Sequence, residues 1–112
     1  MLDYQKTTDD GSIGHRGFIT QCLEHWLAGH PKEDRKTMVV YACGPEPMLA
    51  AVARIALGAG IDCQVSMERR MACGFGVCQG CAVECRPPTG QETVYRLCCQ
   101  DGPVFNGQEV VF

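Results

Sequence analysis

At 112 residues the chain has room for one small domain or two subdomains, and its 46% apolar residues suffice for a packed core. No apolar run approaches the roughly 18 residues of a membrane span, and a net charge of −3 with no basic block argues against nucleic acid as the partner. Residues 1–12 are mostly polar and carry no apolar segment of the secretory kind, so a cytoplasmic location is expected.

Leu2–Thr8 reads as a short strand of weak alternation, and Thr8-Asp9-Asp10-Gly11-Ser12 as a turn by composition. Over Phe18–Leu27 the apolar residues Phe18, Ile19, Cys22, Leu23, Trp26 and Leu27 recur at three- and four-residue spacing, which predicts an amphipathic helix stopped by Gly29-His30-Pro31. Lys32–Lys36 is a charged loop. Thr37–Cys43 is a near-continuous apolar run, the pattern of a strand covered on both faces in a parallel sheet. After the Gly44-Pro45-Glu46-Pro47 turn, Met48–Leu57 predicts an Ala-rich helix ending near Gly58 and Gly60, and Ile61–Met67 alternates as the next strand. Residues 1–67 thus read as a βαβαβ run, an α/β class with a partial doubly wound parallel sheet. Beyond residue 70, Gly, Cys and Pro dominate. Residues 68–112 are expected to form a small Cys-rich module, with Val94–Leu97 and Glu109–Phe112 as its strands.

The chain has nine cysteines, six of them between Cys73 and Cys99. The odd count and the missing secretory signal speak against a disulfide scaffold. Cys73, Cys78 and Cys81 stand at C-x4-C-x2-C, the plant-type spacing for a [2Fe–2S] cluster whose fourth thiolate comes from farther along the chain. Gly74, Gly76 and Gly80 suit a loop that turns its N–H groups toward sulfur, which often needs positive φ. A structural zinc site is the competing reading, but four-cysteine zinc sites usually show two C-x2-C pairs. Spacing leaves the fourth ligand open between Cys98 and Cys99, with Cys85 too close to the other three; neighbours in an extended segment face opposite ways, so one of the pair faces the cluster. Cys22 and Cys63 fall on predicted core faces. Glu68-Arg69-Arg70 reads as a solvated turn, with compensation of cluster charge or partner contact as the alternative. His15, His25 and His30 lack ligand spacing to the cysteines.

Met71-Ala72-Cys73-Gly74-Phe75-Gly76-Val77-Cys78-Gln79-Gly80-Cys81 followed by Cys99-Gln100-Asp101-Gly102-Pro103-Val104-Phe105 resembles the cluster domain of the electron-transfer subunit of class 1B dihydroorotate dehydrogenase. In that family the fourth ligand stands two residues before Asp-Gly-Pro-Val-Phe, so the resemblance implies Cys99. The stretches from Thr8 to Gly17 and from Tyr41 to Met48 resemble the nicotinamide-binding domain of the ferredoxin–NAD(P) reductase superfamily. This implies Thr8, Asp10, Gly11, Cys43, Gly44, Pro45 and Glu46 as cofactor-side positions. The related subunits of NADH-dependent ferredoxin:NADP oxidoreductases and sulfide dehydrogenases usually carry aspartate where this chain has Cys73.

The resemblance implies a relay of single electrons through the cluster, between FMN in a dihydroorotate-oxidising catalytic subunit and FAD and NAD on this side, in pyrimidine biosynthesis. The partner would be that FMN-containing subunit, in a heterotetramer. The flavin barrel and the Gly-rich first turn of the nicotinamide domain find no counterpart here, so the chain is expected to be part of an oxidoreductase rather than a complete enzyme. Without the sheet's first strands, Leu2–Thr8 is expected to pair beside Thr37–Cys43, or two copies to associate through the bare edge. Two other readings use the same cysteines: a diaphorase-type subunit of another reductase or hydrogenase, and a zinc-binding interaction domain.

Overall fold

The computed structural model describes residues 3–112. Its layers are built around helix α2 (Glu46–Gly58) and a three-stranded mixed sheet. That sheet contains β3 (Val39–Cys43), β4 (Asp62–Ser66) and β7 (Val104–Asn106) in the order β3-β4-β7. β3 and β4 run parallel, Val39 opposite Asp62 through Cys43 opposite Ser66, whereas β7 is antiparallel to β4.

The α2 crossover follows from its sequence. Pro45 leads in with φ −56°, and Pro47 sits in the first turn, where a missing N–H costs nothing. Glu46 places a carboxylate at the positive end of the helix. At the other end Gly60 takes φ 75°, the Ile61 N–H donates to the Ala56 carbonyl at 2.9 Å and the Gly60 N–H to that of Leu57 at 3.0 Å. This is a Schellman stop, with buried Ile61 against buried Ala56 as its apolar contact. Between the ends, Leu49, Val52, Ala53 and Ala56 bury one stripe against β4 and β3.

The remaining elements attach to this unit. Helix α1 (Ile19–Ala28) packs on α2 and buries Cys22 and Leu27. The Gln21 side chain reaches back to accept from the Phe18 N–H at 3.1 Å, and Arg35 donates to the Leu27 and His30 carbonyls at 2.7 and 3.2 Å. A cation thus closes the C-terminal end of α1, where carbonyls lack helical partners. The charged loop expected at Lys32–Lys36 contains a 3-10 turn, Asp34–Thr37. Strands β5 (Ala82–Cys85) and β6 (Val94–Leu97) form an antiparallel pair, to which Val110 adds an isolated bridge opposite Cys85.

Several expectations are corrected. Leu2 lies outside the described residues. The strand there is β1 (Thr7–Thr8), and it pairs in parallel with β2 (His15–Arg16) rather than beside β3. The loop closes on itself: the His15 N–H donates to the Lys6 carbonyl at 2.8 Å, that of Gly17 to the Thr8 carbonyl at 2.9 Å, and Gly11 and Gly14 take positive φ. β3 is not covered on both faces; Val40 and Ala42 pack on the core while Val39, Tyr41 and Cys43 are exposed. Its outer edge is unpaired among the described residues. The Glu109–Phe112 strand reduces to the Val110 bridge opposite Cys85, and it is β7 that takes the open edge of β4.

One core runs through the molecule. Leu49, Ile61, Cys63 and Val65 from the α/β layers meet Val83, Cys85, Cys98 and Phe105 from the later segment, all at most 4% exposed. The last part of the chain is therefore built into the same sheet and the same interior as the first.

Candidate metal centre

The cysteine-bearing loop leaves the sheet at the end of β4 and returns at β7. Its base is closed by the Met67 N–H, which donates to the Pro103 carbonyl at 2.9 Å. Gly74 (φ 76°) and Gly76 (φ 89°) curl the loop as glycine allows. The third left-handed residue is Gln79, at φ 57°, and not Gly80. Gly80 serves the loop differently: its N–H donates to Cys78 Sγ at 3.4 Å.

This curl aims backbone donors at sulfur. The Phe75 and Cys78 N–H groups donate to Cys73 Sγ at 3.5 and 3.4 Å. These bonds stabilise a thiolate and pull the Cys73 thiol down to about 6, Cys78 contributing most and Phe75 next. Across the loop the Cys99 N–H donates to Cys81 Sγ at 3.5 Å. Burial, followed by the neighbouring Cys81 and Cys73 sulfurs, pushes the Cys99 thiol up, opposed by the Gly76 N–H. N–H···S bonds thus link Cys78 to Cys73 and Cys99 to Cys81. Cys98 points elsewhere: it is 1% exposed, with Sγ 3.9 Å from the Met67 carbonyl, and burial pushes its thiol up. Cys85 is fully buried between Val94 and Val110. Cys22 and Cys63 are core residues.

The return segment is held by residues the cysteine spacing does not flag. Gln100 donates from Nε2 to the Phe75 carbonyl at 3.0 Å, and its amide occupies the space a Cβ on Gly76 would need. Gln100 therefore clamps the segment bearing Cys99 onto the loop bearing Cys73 and Cys78. Asp101 accepts the Leu97 N–H at 2.7 Å and returns its own N–H to the Leu97 carbonyl at 2.7 Å, fixing the turn through Cys98 and Cys99. The clue in the sequence was the position of Gln100 and Asp101 directly after Cys99. Arg69, read as part of a solvated turn, is instead engaged: it donates to the Ala82 and Glu68 carbonyls and pairs with Glu46 at 3.1 Å.

The donor set suits an iron–sulfur group. Four thiols lie in two pairs, N–H groups already point at three of the sulfurs, and glycine backbone forms the approach. A two-iron cluster asks for two thiolates at each iron, and Cys73, Cys78, Cys81 and Cys99 supply four.

The cofactor-side positions form a second locus. The Thr8 hydroxyl donates to the Ile13 carbonyl at 2.9 Å, and Asp10 accepts the Ser12 N–H at 2.9 Å, which holds its carboxyl below the usual range. A cavity of about 510 Å³ opens between this loop and the start of α2, lined by Thr7, Asp9, Phe18, Pro45 and Met48 among others. Of the expected positions only Pro45 lines it. Gly44 and Glu46 face a smaller cavity beside Arg69, and Cys43 faces the open side of β3.

These features define a four-cysteine loop of iron–sulfur type joined to an α/β layer. Residues 68–111 match the family model described as the iron–sulfur cluster binding domain of dihydroorotate dehydrogenase B. The chain as a whole resembles the electron transfer subunit of dihydroorotate dehydrogenase B (NAD(+)). It is 42% identical to the subunit so named from Caldanaerobacter subterraneus subsp. tengcongensis over 95% of this chain and 39% of that one. With a probable subunit of the same name from Methanopyrus kandleri it shares 44% over 93% of this chain and 34% of the other. A solved chain from work on flavin-based electron bifurcation, via the NADH-dependent reduced ferredoxin-NADP oxidoreductase structure, superposes with TM-score 0.75 at 29% identity. It covers 96% of this chain and 34% of its own. The chain spans less than two fifths of the length of these relatives.

Proposed function

We propose that this chain is the electron-relay part of an NAD-linked dihydroorotate dehydrogenase, acting in the cytoplasm in pyrimidine biosynthesis. The observation that carries the reading is the set of backbone N–H groups aimed at the sulfurs of Cys73, Cys78 and Cys81, with the N–H of Cys99 among the donors. When bound there, a [2Fe–2S] cluster supplies one-electron exchange between two-electron flavin chemistries. The chain's own residues do the rest. Cys73, Cys78, Cys81 and Cys99 are the ligands. The N–H groups of Phe75, Cys78 and Gly80 offset negative charge on sulfur, and Gln100 keeps Cys99 within reach of the loop.

In this reading residues 1–67 are the later half of a nicotinamide-binding domain of doubly wound type and 68–112 the cluster domain. Thr8, Asp10, Gly11, Cys43, Gly44, Pro45 and Glu46 lie on the cofactor side, with FAD and NAD belonging to the longer subunit. The partner is an FMN-containing catalytic subunit, in a heterotetramer, and the open edge of β3 is where copies of this chain alone would associate. A second reading, the same module in another NADH-linked reductase, draws on the TM-score of 0.75 to the bifurcating oxidoreductase.

Anaerobic purification with iron, labile-sulfide and zinc assays tests the cluster. Two irons and two sulfides per chain are expected, and stoichiometric zinc without sulfide would refute it. Cys99→Ser is expected to change or abolish the EPR signal of the reduced protein, and Cys98→Ser to leave it nearly intact. Co-purification with an FMN-binding dihydroorotate dehydrogenase separates the two electron-transfer readings.

A further inference from the structure

Arg69 stands four residues before Cys73, and its guanidinium is used in three directions. Nε donates to the carbonyl of Ala82, the residue after Cys81, at 3.2 Å; Nη1 donates to the Glu68 carbonyl at 2.8 Å; Nη1 and Nη2 grip the Glu46 carboxylate at 3.1 and 3.5 Å. A surface ion pair on free side chains is worth little. Here the fork is fixed by backbone carbonyls and the side chain is only 25% exposed. The cation is thus held against the backbone of Ala82, the first residue of β5 and the one directly after Cys81. Its counter-charge comes from Glu46 in the first turn of α2.

We propose that Arg69 is a positioning residue for the cysteine loop and that, with Glu46 as its counter-charge, it sets how readily the loop's cluster accepts an electron. The inference rests on the cluster reading above. Reduction adds one negative charge to the cluster, so a fixed cation bonded to the residue after a ligand favours the reduced form and the carboxylate that neutralises that cation opposes it. Only a planar fork serves two carbonyls and a carboxylate together; lysine keeps the charge but not the geometry. The pair also joins the turn at Gly44–Glu46 to the cysteine loop directly, so the two loci share one charged contact.

The test is an EPR-monitored redox titration of the full chain, purified anaerobically with its cluster and poised with dithionite, for the parent, Arg69→Gln, Glu46→Gln and Arg69→Lys. Arg69→Gln is expected to lower the reduced-to-oxidised ratio at the parent midpoint about tenfold, a fall of about 59 mV for one electron. Glu46→Gln is expected to move the midpoint the opposite way, and Arg69→Lys to restore most of the potential while losing iron to a chelator faster than the parent. Both glutamine variants break the same pair, so a merely structural role moves them in the same direction; that result, or unmoved midpoints, overturns the inference alone. A parent chain without iron and sulfide overturns the cluster reading and this inference with it.

Discussion

Three glycines in the cysteine loop make a graded experiment, because each meets a different environment. Gly80 has no left-handed φ, and an added Cβ would rest 3.6 Å from Cys78 Sγ, an ordinary contact. Gly74 has φ 76° with nothing within 4 Å, so alanine there costs only the backbone strain, about 1–2 kcal/mol. Gly76 has φ 89°, and its Cβ would fall on the Gln100 amide. That amide is the end of a flexible side chain and can swing away, but only by giving up its bond to the Phe75 carbonyl, roughly a further 1 kcal/mol. Stability of the metal-free, reduced chain in urea should therefore fall in the order Gly80→Ala, Gly74→Ala, Gly76→Ala. With a slope of about 1.5 kcal/mol per M, the midpoint drops by roughly 1 M for Gly74→Ala and by nearer 1.5–2 M for Gly76→Ala. In a double-mutant cycle, Gly76→Ala should cost less when Gln100→Ala is already present. A Gly76→Ala no worse than Gly74→Ala refutes the clamp, and a Gly80→Ala equal to either refutes the backbone-strain argument.

In the metal-free chain Cys73 should be alkylated by iodoacetamide with a midpoint near pH 6, well ahead of an ordinary thiol near 8.5, because only the thiolate reacts; a midpoint at the ordinary value contradicts the N–H arrangement. The sign carries over to stability: the folded-state pKa is lowered, so this contribution is complete above the unfolded thiol value and is lost as pH falls through about 6. Leu49→Ala, at a position 1% exposed between α2 and the sheet, should cost about 2–5 kcal/mol by denaturation, and a loss under 1 kcal/mol would show that the core there collapses freely.

How much the sequence disclosed depended on how much periodicity each element carries. The two helices and the strands Val39–Cys43 and Asp62–Ser66 have enough apolar repeats to be legible, and Val94–Leu97 was placed within its own bounds. Ala82–Cys85 and Val104–Asn106 were not, since strands of four and three residues with Glu, Cys and Asn leave little alternation to read. Missing Val104–Asn106 had the largest effect, because that strand covers the edge of β4. The early loop was misread because its pairing is made by backbone bonds around Gly11 and Gly14, which no side-chain pattern announces. The cysteine spacing marks the loop as a candidate metal centre, but Gln100 and Arg69 bond to backbone carbonyls on distant segments, a relation visible only once the chain is folded.

The closed base of the cysteine loop has a consequence for distance. Ser66 lies opposite Val104 in adjacent strands, so the 68–102 excursion starts and finishes one strand spacing apart, about 4.8 Å. No tether intervenes between the loop and the sheet that carries β3 and the start of α2. The separation between the cysteines and the α2 turn is therefore written into hydrogen-bond register. Lengthening the excursion at its exposed Pro87–Gly90 turn would add mass at the periphery and leave that separation unchanged.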